Sequence, residues 1–220
     1  MKERPILFSG AMVRAILDGR KTQTRRIMKN QPPADTFRMD TFHHPKGQHY
    51  FWAYKEAFSG CELHPGWEPI CCPYGQPCDL LWVRESFWGC DAPGHGDQPC
   101  VVYDDEWHGK DYYPTEIRPW ARKFGRIPSI HMPRDCSRIT LEITSVRVER
   151  LQDCSEEDAR AEGCEAIGAT YRRDTNGNVR SLESLGGPYR DGYRVLWEQI
   201  NGPGSWEANP WVWVVEFKRI

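Results

Sequence analysis

The sequence predicts an α+β fold built on a small curved β-sheet that closes toward an open barrel, and three features carry that expectation. Residues 139–148 make a long strand whose inward positions change phase. Ile139, Leu141 and Ile143 alternate, and Val146 and Val148 then resume one residue out of step, which marks a bulge near Ser145 where a sheet curls. The run 211–218 places Trp211, Trp213, Val215 and Phe217 on one face at strand period. The helical patterns between strands are short and carry their own stop signals. A chain of 220 residues has the length of one domain with a sizeable core. We read residues 1–220 as a single domain carrying irregular insertions at about 30–76 and 89–128.

Taken in order, residues 5–8 form a short strand entering a helix at Ser9, a good N-cap. Met12, Val13, Ile16 and Leu17 recur at helical spacing, and Gly19 closes the helix as a C′ glycine. Residues 22–28 continue as a strand, with Thr22, Thr24 and Arg26 on one face and Gln23, Arg25 and Ile27 on the other. Periodicity then fails as far as Gln76, where prolines, histidines and scattered aromatics replace it. Turn residues from Cys72 to Asp79 deliver the chain into a strand over 80–88, on which Trp82 and Arg84 share one face and Val83 and Glu85 the other. The second insertion holds a short strand at Val101, Val102 and Tyr103. Ser155, with Asp158 three residues on, caps a helix that stops at Gly163. Asn176-Gly177-Asn178 reads as a hairpin turn, and Tyr193, Leu196, Trp197 and Ile200 mark one face of a helix ending at Asn201-Gly202.

Composition bounds the function. With 29 basic and 31 acidic residues and a net charge of −2, the protein as a whole is not a polyanion binder. Nucleic-acid contact therefore requires a local patch. Ten Trp and nine Tyr suit stacking surfaces as well as cores. The N-terminal residues lack the apolar segment of a signal peptide, and no run of about 18 apolar residues offers a membrane span, so a cytoplasmic protein with no membrane contact is expected. The nine cysteines, an odd count, are expected to be reduced. Cys61, His64, Cys71, Cys72 and Cys78 gather soft ligands without a zinc-type Cys-x2–4-Cys pair, so neither a metal nor a cofactor is expected.

Chemistry concentrates in Gly19-Arg20-Lys21-Thr22-Gln23-Thr24-Arg25-Arg26, four cations and two hydroxyls in eight residues. The pattern Gly19-x-Lys21-Thr22-x-Thr24-x-Arg26 after a helix resembles the signature of the ASCH domain family. The capped helix after the bent strand, and the closing Trp213-Val214-Val215-Glu216-Phe217-Lys218, fall in the same order as in that family. The likeness spans about half of the chain and is greatest to the larger ASCH proteins of bacterial prophages. Cys78-Asp79 stands where the family commonly has Gly-Asp. The resemblance implies a PUA-like barrel and the handling of modified nucleosides or RNA. Some small members are amidohydrolases of N4-acetylcytidine with a Lys, Thr and Glu catalytic group; Lys21 and Thr24 match by motif, and Glu162 by its place at the end of the capped helix. Other members have been assigned RNA binding or RNA cleavage, which makes a non-catalytic RNA or modified-base module the alternative, and a ribonuclease the weaker one.

The residues support that chemistry on their own terms. Amide hydrolysis needs a nucleophile, a base and donors for the developing oxyanion. Thr24 supplies a hydroxyl, and Lys21, desolvated beside Arg20 and Arg25, becomes a base if its pKa falls. Glu162 orients it. Lys21 and Thr24 meet only if the chain turns between them, because a straight strand puts them on opposite faces. Arg25 and Arg26 suit a phosphate. Trp82 beside Arg84 suits a base, Glu85 rivals Glu162 as the acid, and the loop 129–134 offers His131 and Arg134 to a substrate.

Overall fold

Strand β1 (Glu3–Leu7) turns Ile6 into the core and feeds α1 (Gly10–Leu17), whose buried Val13, Ala15 and Ile16 pack on the same side. Gly19, at φ 73°, ends that helix and sends the chain into β2 (Gln23–Ile27). The computed structural model describes residues 1–43, 47–57, 60–90, 100–103, 125–167, 170–173, 179–182 and 184–220.

Three strands, β3 (Thr36–His43), β4 (His49–Ala57) and β5 (Gly60–Leu63), form an antiparallel meander inside the span read as irregular. Its regularity is hidden because β4 carries large side chains on both faces: Phe51 and Ala53 are buried, while Tyr50, Trp52 and Tyr54 alternate on the opposite face. A period-two signal vanishes when both faces are apolar. Phe51 meets Trp213 edge to face, with centroids 4.9 Å apart, an arrangement that contributes about 0.5–1.5 kcal/mol beyond its buried area and fastens the meander to the main core.

Strand β6 (Leu80–Arg84) begins after a turn in which Cys78 sits at φ 70°. That left-handed conformation favours glycine. The strand expected over 80–88 breaks after Arg84, because Glu85 leaves the ladder to bind Arg138, and β7 (Phe87–Cys90) pairs instead with β8 (Cys100–Tyr103) and β9 (Gly125–Ile127). Strand β10 (Thr140–Arg150) has its register shift between Ile143 and Ser145, as its phase slip predicts. The bulge keeps Ile139, Leu141, Ile143 and Val146 in one core. Helix α2 (Glu156–Ala161) opens on the expected capping box, in which Ser155 and Asp158 bond reciprocally.

Strands β11 (Thr170–Arg173) and β12 (Val179–Leu182) pair antiparallel, whereas the turn read at 176–178 lies outside the described residues. Helix α3 (Pro188–Asn201) ends at Gly202, and β13 (Trp211–Arg219) closes the chain.

The main sheet has the order β1-β6-β10-β13-β2, antiparallel except for the parallel β1–β6 pair. It is an α+β arrangement with an open sheet: β1 and β2 lie at opposite edges and do not pair among the described residues. A side chain spans the gap, since Arg26 Nη2 donates to Leu7 O at 2.6 Å. One face of the sheet carries the larger core, with Trp211, Trp213, Val215 and Phe217 as expected. The other buries Val212 and Val214 against Tyr193 and Trp197 of α3. Among the described residues no helix is long and apolar enough to cross a membrane.

Candidate functional site

The signature stretch changes partners within three residues. Lys21 bridges to Glu162 at the end of α2, Thr22 donates its N–H to Ala161 O at 2.9 Å, and Gln23 pairs with Glu216 of β13. The chain is therefore not one straight strand from Lys21 to Thr24. The Lys21 ammonium lies 5.5 Å from the Phe8 ring centroid and the Arg26 guanidinium 5.3 Å from the same centroid. Lys21 therefore ends on the Thr24–Arg26 side of β2. Gly163 makes this placement possible: at φ 77°, a Cβ there would stand 2.7 Å from Lys21 Cβ and 2.8 Å from Ala15 Cβ.

Lys21 is fully enclosed. Its Nζ donates to the Glu162 carboxylate (Oε2, 2.8 Å) and to the Glu162 carbonyl (2.8 Å). Burial pulls its pKa below the ordinary lysine value; the Glu162 carboxylate opposes that fall and the Arg26 charge adds to it. Glu162 thus accepts two of the N–H bonds that the Lys21 side chain offers.

Arg25 has a different role from the phosphate contact expected of it. Its side chain is wholly buried and pairs with Glu149, with Asp158 at 3.1 Å and with Glu162 at 3.3 Å. Burial opposes its charge, but the neighbouring carboxylates of Glu162 and Glu149 outweigh that and hold its pKa above the usual value. Asp158 also accepts from Arg147 at 2.7 Å and from Gln23 at 3.1 Å, and Arg147 reaches Glu149 and Glu216. Three acids on the α3 side consume the guanidinium, so Arg25 is a structural cation. Arg26 differs. Its Nε is buried without a hydrogen-bond partner, and no carboxylate among the described residues pairs with it.

A pocket of about 120 Å³ opens along β2, lined by Thr24, Arg25, Arg26 and Ile27 with Glu162, Met12, Tyr74 and residues of α3. Thr24 is 2 % exposed, and among the described residues its hydroxyl has no hydrogen-bond partner. Tyr193, also in the lining, was legible in the sequence only as part of an apolar helix face. Its hydroxyl is likewise without a partner, and burial, then the Glu162 charge, raises its pKa well above the ordinary phenol value. Cys154 and Cys164 lie near the cluster, but burial pushes both thiols up to about 12, which leaves them inert as nucleophiles.

The remaining candidates lie elsewhere. Trp82 and Arg84 point away from the larger core because Leu81 and Val83 occupy it, and Arg84 is engaged by its own Trp82 ring and by Met132 O. Glu85 is buried in a bidentate pair with Arg138 at 2.9 and 2.8 Å, so Glu162, not Glu85, is the acid beside Lys21. His131 is exposed rather than buried, because its short 3-10 turn commits Met132 to the core, and Arg134 pairs with Glu3 at 2.7 Å. None of these five lines the pocket. Among the described residues no group of three His, Cys, Asp or Glu is placed to hold a metal, and His64 is engaged by Asp35 at 2.9 Å.

No protein-family model, curated protein or solved structure matches this chain.

Proposed function

We infer that the protein is an amidohydrolase of the ASCH type that removes an acyl group from a modified cytidine such as N4-acetylcytidine. The observation that carries this reading is the enclosed Lys21–Glu162 pair, whose Glu162 lines one pocket together with Thr24 and its unpartnered hydroxyl. The open curled sheet with its bulged long strand fits the PUA-like barrel that the family resemblance implies. A pocket of about 120 Å³ is small beside the roughly 300–1,000 Å³ of sites that enclose larger ligands, and it suits an acyl group and the edge of one base.

The reaction divides among the residues as follows. Neutral Lys21 takes the Thr24 proton, and the Thr24 oxygen bonds to the acyl carbon. The developing oxyanion falls to donors of the pocket lining, for which we assign Arg26 and the Tyr193 hydroxyl. The carbon–N4 bond then breaks, N4 takes the proton from Lys21, and cytidine leaves. Water, deprotonated by the same amine, hydrolyses the threonine ester to a carboxylate and restores the hydroxyl. Glu162 stays charged throughout and fixes the orientation of Lys21.

The unpaired Arg26 cation favours a second reading, an RNA or modified-base binding module without chemistry. Incubation with N4-acetylcytidine separates the two. The hydrolase releases acetate at a rate that depends little on salt, and Lys21→Ala or Thr24→Ala abolishes it. A binder releases none and loses oligonucleotide affinity steeply with salt. Absence of turnover by pure wild type over a range of pH overturns the hydrolase.

A further inference from the structure

β2 is an edge strand, and the side it leaves open is the pocket. Thr22 O accepts from Phe217 N at 2.8 Å and Met28 N donates to Trp211 O at 3.1 Å, so the even-numbered residues turn their main chain toward β13. In an antiparallel ladder the alternate residues turn theirs the other way. The register, with Thr24 opposite Val215 and Arg25 opposite Val214, carries this alternation through the strand. Gln23, Arg25 and Ile27 therefore direct N–H and C=O to the side where no strand of the described residues lies. Among the described residues nothing hydrogen-bonds the main chain of Arg25 from that side. Arg25 stands in the middle of the four consecutive β2 residues that line the pocket, and its side chain is committed to three carboxylates.

We propose that the main-chain N–H and C=O of Arg25 form a bidentate reading head for the edge of a pyrimidine base, pairing with an adjacent ring acceptor and exocyclic donor. This rests on the acyl-cytidine reading above and adds the feature that selects the base. An acylated cytosine presents N3 as acceptor and N4–H as donor side by side, the complement of one strand residue's N–H and C=O. That pairing sets the acyl group on N4 beside Thr24, the next residue along. The buried acid cluster holds Arg25 in place, so the reading head is rigid before the ligand arrives.

The test uses the full-length Thr24→Ala protein, which binds without turning over, titrated by tryptophan fluorescence with N4-acetylcytidine and with its 3-deaza counterpart. Replacing N3 by C–H leaves the Arg25 N–H buried without an acceptor, and affinity falls about tenfold or more. Equal affinity for the two compounds overturns the reading head and leaves the hydrolase reading standing. Binding of neither overturns both. An α-hydroxy analogue of arginine at position 25, introduced by semisynthesis, keeps the guanidinium and removes only the N–H. It equalises the two affinities if the proposal holds, and leaves the discrimination intact if it does not. Ile27→Pro serves as the fold control, because proline is tolerated where an edge strand's N–H faces away from the sheet.

Discussion

Glu162→Gln is the most informative single perturbation of the site. The side chain is 3 % exposed, accepts from Lys21 at 2.8 Å and pairs with Arg25 at 3.3 Å. Glutamine preserves shape and packing, so the loss measures charge. Two enclosed cations are left with one anion fewer, and breaking a buried pair this way costs about 3–5 kcal/mol. For a domain of this length that corresponds to a fall in Tm of roughly 6–20 °C. The assay is thermal and urea unfolding of wild type, Glu162→Gln, Lys21→Met and the double variant. Removing the cation as well relieves the imbalance, so the double variant is more stable than the sum of the single losses predicts. A Glu162→Gln protein within about 2 °C of wild type, or strict additivity in the cycle, refutes the claim that Lys21 and Glu162 form one charged unit.

Other outcomes follow from the same geometry. Gly163→Ala brings a Cβ into Lys21 and Ala15 at a positive φ and costs roughly 2–4 kcal/mol in urea unfolding, with activity lost alongside because Lys21 is displaced. Cys78→Gly relieves the left-handed turn before β6 and stabilises by about 0.5–1 kcal/mol, read as a higher denaturation midpoint. In the proposed mechanism Lys21 acts as a base only when neutral, and burial lowers its pKa, so kcat/KM rises with pH through a limb below the ordinary lysine value near 10.4. Stability rises over the same range, because between the lowered folded pKa and the unfolded one the unfolded chain binds the extra proton. At the acid end the slope has the same sign. Burial opposes ionisation of Asp158, but Arg25 outweighs it and holds its pKa below the ordinary value. The stability it contributes is present above about pH 4 and is lost as pH falls through the folded value.

Much of the site was legible because local rules and tertiary structure agree there. The alternation of β2, the phase slip before Ser145, the Ser155–Asp158 cap and the glycine stops at Gly19 and Gly163 each have a short-range cause, and together they bring Lys21 to Glu162. What was missed depends on partners far along the chain. Arg25 looks like any surface cation until Glu149, Asp158 and Glu162 close on it. Tyr193 counts as one more apolar position in a helical pattern, and only the fold gives its hydroxyl a cavity. Trp82 and His131 attracted attention by residue type alone, and the neighbouring Leu81, Val83 and Met132 decided their direction. The β3–β5 meander was hidden by aromatics on both of its faces.

The central claim is that the Thr24 oxygen attacks an acyl carbon with Lys21 as its base. Rapid quenching of the protein with excess N4-acetylcytidine, followed by intact-mass and peptide mass spectrometry, tests it most directly. The account predicts a single acetyl group on the peptide containing Thr24, present during turnover, absent in Thr24→Ala and absent in Lys21→Ala. Turnover that persists in Thr24→Ala, or an acetyl group that maps to another residue, contradicts it.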